Sequence, residues 1–158
     1  MEYALSLGSN LGRRLDNLRT ARRHISGLPG VSMVAQSRVY ETEPVGVVEE
    51  HRRMRFLNAV LVVRSGLDPA AFGAAMRHIE TRMGRPGRSP RNSPRIIDVD
   101  VIYAGSRRGK FGRITVPHPR WSERRFVVRP LCDVRSARRL PGTSGPVKAI
   151  LAALPRRP

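Results

Sequence analysis

Two aspartates separated by one residue stand out in this sequence as groups that could do chemistry. Asp98 and Asp100 lie in the apolar run 96–103, which we expect to form a central strand. Side chains alternate between the two faces of a strand, so the pair shares one face. The residues that point to the opposite face are aliphatic, namely Ile97, Val99 and Val101. That face is therefore core, and the two carboxylates project together and repel each other unless a cation or an arginine lies between them.

The residues that flank the pair favour a metal site over plain salt bridges. Arg95 directly precedes the strand, Arg85 lies earlier in the same basic stretch, and His118 and Arg124 follow downstream. Such groups bind a polyphosphate and stabilise the charge that develops during its transfer. Magnesium takes a few carboxylate oxygens and completes its coordination with water and substrate phosphate. The pattern predicts a magnesium-dependent enzyme that moves phosphate groups.

The elements that must position these residues alternate in type along the chain. Strands are predicted at 3–7, 31–41, 56–63 and 96–103, with a short piece at 114–116, and helices at 11–27, 69–84 and 145–154. The order strand, helix, strand, strand, helix, strand is that of a ferredoxin-like α+β sandwich. We expect one domain over residues 1–158.

Two connecting segments carry further expectations. The turn Gly8-Ser9-Asn10 is expected to cap the first helix, since serine and asparagine accept bonds from free backbone N–H groups. Residues 85–95 combine proline, glycine and serine with arginine, which disfavours regular structure and predicts a mobile basic loop. Its arginines are Arg85, Arg88, Arg91 and Arg95.

The composition is strongly basic, with 30 Lys and Arg against 12 Asp and Glu and a formal charge of +18. Such a field attracts polyanions. The arginines are scattered from Arg13 to Arg157, so a compositional bias is favoured over a dedicated nucleic-acid surface. No stretch approaches the roughly 20 apolar residues of a membrane span, and no basic region precedes the first apolar segment. With one cysteine, Cys132, the sequence predicts a soluble cytoplasmic protein without an intrachain disulfide.

Six motifs in order resemble the 6-hydroxymethyl-7,8-dihydropterin pyrophosphokinase family of folate biosynthesis. They cover nearly the whole chain and consist of Leu7-Gly8-Ser9-Asn10-Leu11, Tyr40-Glu41-Thr42-Glu43-Pro44-Val45-Gly46, Phe56-Leu57-Asn58-Ala59, Ile79-Glu80 with Gly84-Arg85, Pro94-Arg95-Ile96-Ile97-Asp98-Val99-Asp100, and Val116-Pro117-His118-Pro119 with Arg124 and Phe126. The resemblance implies a three-layer α-β-α fold, in which helices cover both faces of a single antiparallel sheet. It also implies transfer of the terminal diphosphate of ATP to a reduced pterin, which leaves AMP.

The resemblance further implies roles for individual residues on the nucleotide side. Asp98 and Asp100 are expected to hold two magnesium ions, and Arg85 and Arg95 to assist catalysis. The expected ATP contacts are Glu80, Arg85, Arg95, Val101, Arg113, Thr115, His118 and Arg124.

On the acceptor side, the resemblance implies that a flat pterin stacks between Phe56 and Phe126. Asn58 inside an apolar strand supports this, since a buried amide without partners costs about 1–3 kcal/mol. An apolar slot with a few polar groups suits such a heterocycle. The expected pterin contacts are Thr42, Pro44, Val45, Phe56, Asn58, Asp98 and Phe126.

The chain departs from the family pattern at three positions near the nucleotide. Asn92 stands where a tryptophan often closes over the nucleotide, Ser93 where a smaller residue is usual, and Pro119 where an aromatic residue can occur. The metal pair and both arginines are present, so we expect an active enzyme. Its expected partners are ATP and a reduced pterin, without membrane or nucleic acid, and its expected state is a monomer or a weak homo-oligomer.

Two other function classes fit the same order of elements. RNA-recognition domains share it, but they stack bases on exposed aromatic residues, and aromatic residues are 5% of this chain. Nucleotidyl-transferring palm domains also build a two-metal site on such a sheet. They need a further carboxylate from another strand, and the sequence offers no convincing third acid.

Overall fold

A computed structural model describes residues 1–46, 49–90 and 92–156 of the chain. Its strands are β1 (Glu2–Ser9), β2 (Ser32–Gln36), β3 (Tyr40–Thr42), β4 (Phe56–Arg64), β5 (Asp98–Ala104), β6 (Gly109–Phe111) and β7 (Ile114–Val116). Its helices are α1 (Arg14–Ser26), α2 (Pro69–Arg82), α3 (Arg125–Arg135) and α4 (Val147–Ala153), with 3-10 turns at Glu49–His51 and Trp121–Glu123.

The main sheet places β1 between β4 and β5. The strand order is β2-β4-β1-β5, with β3 also paired to β4, and every pair is antiparallel. This arrangement confirms the predicted ferredoxin-like fold. In addition, β6 and β7 form a separate two-stranded sheet. Two strands alone are marginally stable in water, so this hairpin depends on what it packs against.

Helices cover both faces of the sheet, as the three-layer prediction requires. On one face, α1 and α2 bury residues such as Ile25, Phe72 and Met76 against the sheet. On the other, α3 and α4 bury Leu131 and Val147. Full burial of one such side chain contributes about 1.5–3 kcal/mol, so the two layers fix the sheet from both sides. The site can therefore lie only where the helices leave the sheet uncovered.

The sequence prediction lacked two elements of the structure, the short strand β6 and helix α3. Helix α3 is the larger of the two. Pro130 lies inside it, and a proline in a helix interior removes a hydrogen bond and argues against a helix. The helix forms nevertheless because Val127, Val128 and Leu131 recur at helical spacing and are buried. Packing of this stripe overrides the local signal, and α3 becomes the second layer over the sheet.

The predicted strand 31–41 is divided into β2 and β3. Ser37 interrupts it: its N–H donates to the Val60 carbonyl at 2.9 Å, and its hydroxyl accepts the Val60 N–H at 2.8 Å. The pairing register with β4 also shifts between Met33 and Ala35. The bend lets β3 pair with β4 near Asn58, at the edge of the site.

The prediction that Gly8-Ser9-Asn10 caps the first helix is wrong. Gly8 and Ser9 belong to β1, and α1 begins later, at Arg14, without a side-chain cap. Asn10 instead binds the backbone of Arg95: its Oδ1 accepts the Arg95 N–H at 2.8 Å, and its own N–H donates to the Arg95 carbonyl at 3.2 Å. Held in this way, the chain enters β5 at Asp98 rather than at residue 96.

In the described part of the chain, the basic loop has no regular structure and no helix is suited to span a membrane. Residues 85–90 and 92–95 contain no helix or strand, as predicted; Arg91 lies outside the described part, and the mobility of this loop stays a prediction. Within residues 1–46, 49–90 and 92–156, no helix combines the length and apolar content needed to cross a membrane.

Candidate active site

The site is built on one end of the three central strands. Antiparallel pairing places Gly8 between Asn58 and Asp98, and Ser6 beside Asp100. Directly opposed residues in a sheet have neighbouring side chains on the same face. Gly8 has no side chain, so Asn58 of β4 and Asp98 of β5 face each other across the open surface of β1.

The alternation predicted for the central strand is confirmed. Ile97, Val99 and Val101 are buried beneath α1 and α2, while Asp98 and Asp100 remain partly exposed on the other face. The pair lies where two clefts meet. The small cleft has a volume of about 360 Å³ and the large cleft one of about 1030 Å³. Residues that line both clefts are Asn92, Arg95, Asp98, Asp100 and Arg124.

Asp98 is held by two arginines. Arg85 Nη1 lies 2.8 Å from its Oδ1, and Arg95 Nη1 lies 3.1 Å from its Oδ2. The same Arg85 nitrogen donates to Glu80 Oε1 at 2.7 Å, and that oxygen also accepts the Val99 N–H at 2.7 Å. Glu80 is 6% exposed, and its burial raises its pKa to about 6 against the opposing effects of Val99 and Arg85. Glu80 therefore fixes both the arginine and the strand that carries the aspartates.

Asp100 is less tightly paired than Asp98. Its Oδ2 lies 3.7 Å from Arg124 Nη1 and 3.9 Å from His118 Nε2, both longer than a hydrogen bond. Its side chain is 37% exposed toward the clefts. Withdrawal from water by the surrounding protein, followed by the charge of Asp98, raises the pKa of Asp100 to about 7. A group of this kind is available to a cation that neutralises both carboxylates.

His118 presents a hydrogen-bond donor to the same space. Its Nδ1 accepts the Arg120 N–H at 3.1 Å, so in the neutral ring the proton sits on Nε2, which faces Asp100. Burial, and then the charge of Arg124, lower the pKa of His118. The neutral ring can therefore donate from Nε2 to an anionic oxygen in the large cleft.

The donors fit magnesium with a polyphosphate rather than a closed metal cage. Among the described residues, no group of three or more His, Cys, Asp or Glu side chains is arranged to hold a metal ion by itself. Magnesium needs only one or two carboxylates when phosphate oxygens and water supply the remaining ligands. Asp98 and Asp100, opposite several guanidinium groups, meet that requirement.

The small cleft has a mixed apolar and amide lining. Asn58 is 3% exposed and donates from Nδ2 to Thr42 Oγ1 at 2.6 Å, while Phe56 and Phe126 line the same cleft. A Cβ atom on Gly8 would lie 3.2 Å from Asn58 Oδ1 and 3.6 Å from Phe56 Cδ1. Glycine therefore keeps the floor of the cleft clear for a flat ligand.

Two loops meet above the clefts. Asn92 adopts φ 59° and donates from Nδ2 to the Gly46 carbonyl at 2.8 Å. Asparagine tolerates this left-handed conformation better than most residues. Asn92, where the family pattern often has a tryptophan, thus forms a contact between the two loops. The carbonyl of the next residue, Ser93, accepts a hydrogen bond from Arg95 Nε at 3.3 Å.

Comparison with known proteins identifies the family. The protein-family model for 7,8-dihydro-6-hydroxymethylpterin-pyrophosphokinase (HPPK) matches residues 4–136 of the chain. A Bacillus subtilis protein named 2-amino-4-hydroxy-6-hydroxymethyldihydropteridine pyrophosphokinase is 33% identical over 82% of this chain and 75% of its own length. A protein of the same name from Methylorubrum extorquens is 35% identical over 82% of this chain and 80% of its own. The chain belongs to the HPPK family.

Longer proteins also contain this unit. The folate synthesis bifunctional protein of Arabidopsis thaliana is 36% identical over 84% of this chain and 27% of its own length. The chain therefore spans about a quarter of such plant relatives. A solved structure of an HPPK-DHPS protein in complex with substrates matches with a TM-score of 0.70 at 14% identity, over 96% of this chain and 43% of that one, which confirms the fold.

The structure brings the residues predicted from the HPPK resemblance into two groups. Those predicted for ATP all line the large cleft: Glu80, Arg85, Arg95, Val101, Arg113, Thr115, His118 and Arg124. Those predicted for the pterin line the small cleft with one exception: Thr42, Val45, Phe56, Asn58, Asp98 and Phe126. The exception is Pro44, which lines neither cleft in the described part of the chain.

Several residues of the small cleft were missed by the sequence prediction. Ser6 and Gly8 follow from the alternation of β1. Ser6 lay in the predicted strand 3–7 without a predicted role, and Gly8 was assigned to the helix cap. Leu154 and Pro155 reach the cleft from the end of α4. Their position depends on how α4 packs against α3, and no local pattern reports that packing.

Proposed function

We propose that this chain transfers the terminal diphosphate of ATP to the hydroxymethyl group of 6-hydroxymethyl-7,8-dihydropterin and releases AMP. The observation that carries the proposal is the meeting of two clefts at Asp98 and Asp100. One cleft is basic and large enough for a nucleotide, and the other is narrow and lined by two phenylalanines and a buried amide. A transfer between two substrates needs both reacting groups at one point, and these clefts share one.

On the nucleotide side, the arginines neutralise and orient the triphosphate. Arg85 and Arg95 lie against Asp98, and Arg124 and His118 face Asp100 from the other side. Phosphoryl transfer depends on positioning and on neutralisation of charge more than on covalent chemistry by the protein. These groups would surround the transferred diphosphate and neutralise its negative charge.

Asp98 and Asp100 would hold the magnesium ions, two by analogy with the family, together with the oxygens of ATP. The bound ions would neutralise the charge of the phosphate oxygens and help to orient ATP for the transfer. Arg85 and Arg95 both contact Asp98, so their guanidinium groups lie beside the position proposed for the phosphates. The fit of the site to magnesium supports this assignment.

On the acceptor side, the pterin ring would lie between Phe56 and Phe126, with its edge against Asn58 and Thr42. The Asn58 amide is already oriented by its bond to Thr42, so it need not reorganise when the ring binds. The hydroxymethyl group would then lie toward Asp98, which lines the same cleft.

The reaction forms one bond and breaks one. The hydroxymethyl oxygen bonds to the β-phosphorus of ATP, and the bond between that phosphorus and the oxygen that bridges it to the α-phosphorus breaks. AMP leaves with that oxygen, and the hydroxyl proton passes to water in the cleft. A loose transition state needs no strong base for this step.

The test is to incubate the protein with ATP, magnesium and 6-hydroxymethyl-7,8-dihydropterin and to identify the products by mass spectrometry. The proposal predicts equal amounts of AMP and pterin diphosphate, and no AMP without the pterin. Release of ADP would indicate transfer of a single phosphoryl group, and release of pyrophosphate would indicate nucleotidyl transfer. Either result would overturn the proposal.

We also infer that residues 1–158 act as one domain and that the clefts are complete within one copy of the chain. Support for this comes from the cleft linings, which draw on elements from β1 to the end of α4. A cytoplasmic location and a monomeric state stay predictions.

A further inference from the structure

The hairpin β6–β7 carries two of the predicted ATP contacts, yet its strands are only three residues long. Arg113 and Thr115 line the large cleft from this hairpin. On its inner side, Val116 is buried and Phe111 packs against the core. Because an isolated hairpin of this size is marginal in water, its position relative to the cleft depends on its seat on the rest of the protein.

That seat contains an unusually close contact with α2. A Cβ atom on Gly73, in the interior of α2, would lie 2.7 Å from Ile114 Cγ2, 3.2 Å from its Cδ1 and 3.3 Å from its Cγ1. Carbon atoms in ordinary contact are about 3.5–4.0 Å apart. All three atoms belong to the side chain of Ile114, so Ile114 lies directly on the glycine.

A change of rotamer is a restricted way to relieve this contact. Isoleucine carries two carbon branches on Cβ, so two of its three staggered χ1 positions leave a carbon facing the helix, and χ1 of a β-branched residue is stiff. The turn of the hairpin makes a second approach to the same helix, since a Cβ atom on Gly112 would lie 3.3 Å from Ala70 Cβ. The hairpin therefore contacts α2 closely at two places, Ile114 on Gly73 and Gly112 on Ala70.

The glycine itself is unfavourable for the helix. Gly73 has no left-handed backbone conformation to require glycine, and glycine inside a helix costs about 0.5–1 kcal/mol relative to alanine. Its small size, rather than its backbone freedom, is the property that this position uses.

We propose that Gly73 is a positioning residue for nucleotide binding: it seats Ile114 so that Arg113 and Thr115 face the large cleft at the right distance from the metal pair. The ligand class is the nucleoside triphosphate, so the inference rests on the proposed function. A methyl group at Gly73 would push β7 outward by about 1 Å, and a displacement of that size can lower binding or rate by about tenfold or more.

The test compares Gly73→Ala, Ile114→Ala and the double variant with the wild-type chain. We expect Gly73→Ala to raise the KM for ATP, and the Kd for α,β-methylene-ATP with magnesium, by about tenfold, with the pterin KM at saturating ATP unchanged within about twofold. The double variant removes all three close atoms and should return both ATP constants to within about threefold of wild type. Hydrogen exchange of the β6–β7 amides should become faster in Gly73→Ala than in the wild-type chain.

Gly66→Ala is the matched control, because no atom lies within 4 Å of a Cβ placed there. The inference is overturned if Gly73→Ala binds ATP as wild type does, if it weakens ATP and pterin equally, or if the double variant is no better than Gly73→Ala. If the wild-type chain released no AMP, the proposed function would fall, and the hydrogen exchange of the same variants would still decide whether Gly73 seats the hairpin.

Discussion

Asn10→Ala is expected to slow the reaction although Asn10 lines neither cleft. The Asn10 amide accepts the Arg95 N–H at 2.8 Å, and 4% of Asn10 is exposed. Arg95 in turn reaches Asp98 with its guanidinium at 3.1 Å. Asn10 therefore connects the end of β1 to an arginine beside the metal pair.

The magnitude follows from the loss of this acceptor. Alanine leaves the Arg95 N–H without its partner in a partly buried place, which costs about 1–3 kcal/mol. The remaining bond, from the Asn10 N–H to the Arg95 carbonyl at 3.2 Å, does not fix the orientation alone. A displacement of 1 Å can cost about a hundredfold in rate, so we expect kcat to fall about ten- to a hundredfold. The free energy of unfolding should fall by about 1–3 kcal/mol.

The assay is kcat for AMP release, measured beside urea unfolding. Asn10→Asp keeps an oxygen acceptor and should recover most of the rate. Asn17→Ala is the control, because Asn17 donates to the Leu11 carbonyl at 2.9 Å and to the Ser9 hydroxyl at 3.2 Å rather than to Arg95. It should keep kcat within about twofold. Wild-type kcat in Asn10→Ala despite lower stability, or no recovery in Asn10→Asp, would refute the positioning of Arg95.

Three further changes test acceptor binding and acid stability. Gly8→Ala places a methyl group 3.2 Å from Asn58 Oδ1 and should raise the KM for the pterin about tenfold while leaving the KM for ATP unchanged. Asn58→Ala removes the amide bonded to Thr42 and should weaken pterin affinity about tenfold in a calorimetric titration. For Glu2, the hydrogen bond from Arg135 is the main cause that lowers its pKa to about 2, so ionised Glu2 stabilises the fold above the ordinary value of 4.5 and loses this effect as the pH falls toward 2. Glu2→Gln should therefore reduce the free energy of unfolding by about 1–2 kcal/mol at pH 6 and by less at pH 3, as measured by urea unfolding.

These predictions can each be contradicted. A pterin KM that does not change in Gly8→Ala would mean that the floor of the small cleft is not the acceptor site, and Gly66→Ala supplies the matched methyl addition. An equal loss of pterin and ATP affinity in Asn58→Ala would indicate a general structural defect. If Glu2→Gln lowered the free energy of unfolding equally at pH 6 and pH 3, the pKa of Glu2 would be the same in the folded and unfolded states, which contradicts the prediction.

Local patterns were sufficient for the sheet and for the carboxylate pair. The alternation of aspartate with aliphatic residues through Asp98 and Asp100 depends on strand geometry alone, and the structure confirms it. The order of elements likewise led to the ferredoxin-like fold. Both results follow from hydrophobic periodicity, which is set by burial and varies little with the details of packing.

The features that the sequence did not predict depend on contacts between distant segments. Helix α3 contains Pro130 and forms because its apolar stripe packs on the sheet. Asn10 was assigned to a helix cap, since its partner Arg95 is far away in sequence and local rules do not include such a partner. The close contact of Gly73 with Ile114 is of the same kind, because a helical glycine looks like a weakness until the hairpin above it is known.

The central claim is that Asp98 and Asp100 bring magnesium to the point where the two substrates meet. Its most direct test is single-turnover formation of AMP by the wild-type chain and by Asp100→Asn, with the protein in excess over the pterin and with ATP and magnesium saturating. Asparagine keeps the shape of the side chain and removes the negative charge with which the carboxylate would bind magnesium. We predict a loss of at least about a hundredfold in the rate of AMP formation, with an unchanged circular dichroism spectrum. A rate within tenfold of wild type would contradict the assignment of this pair as the metal site.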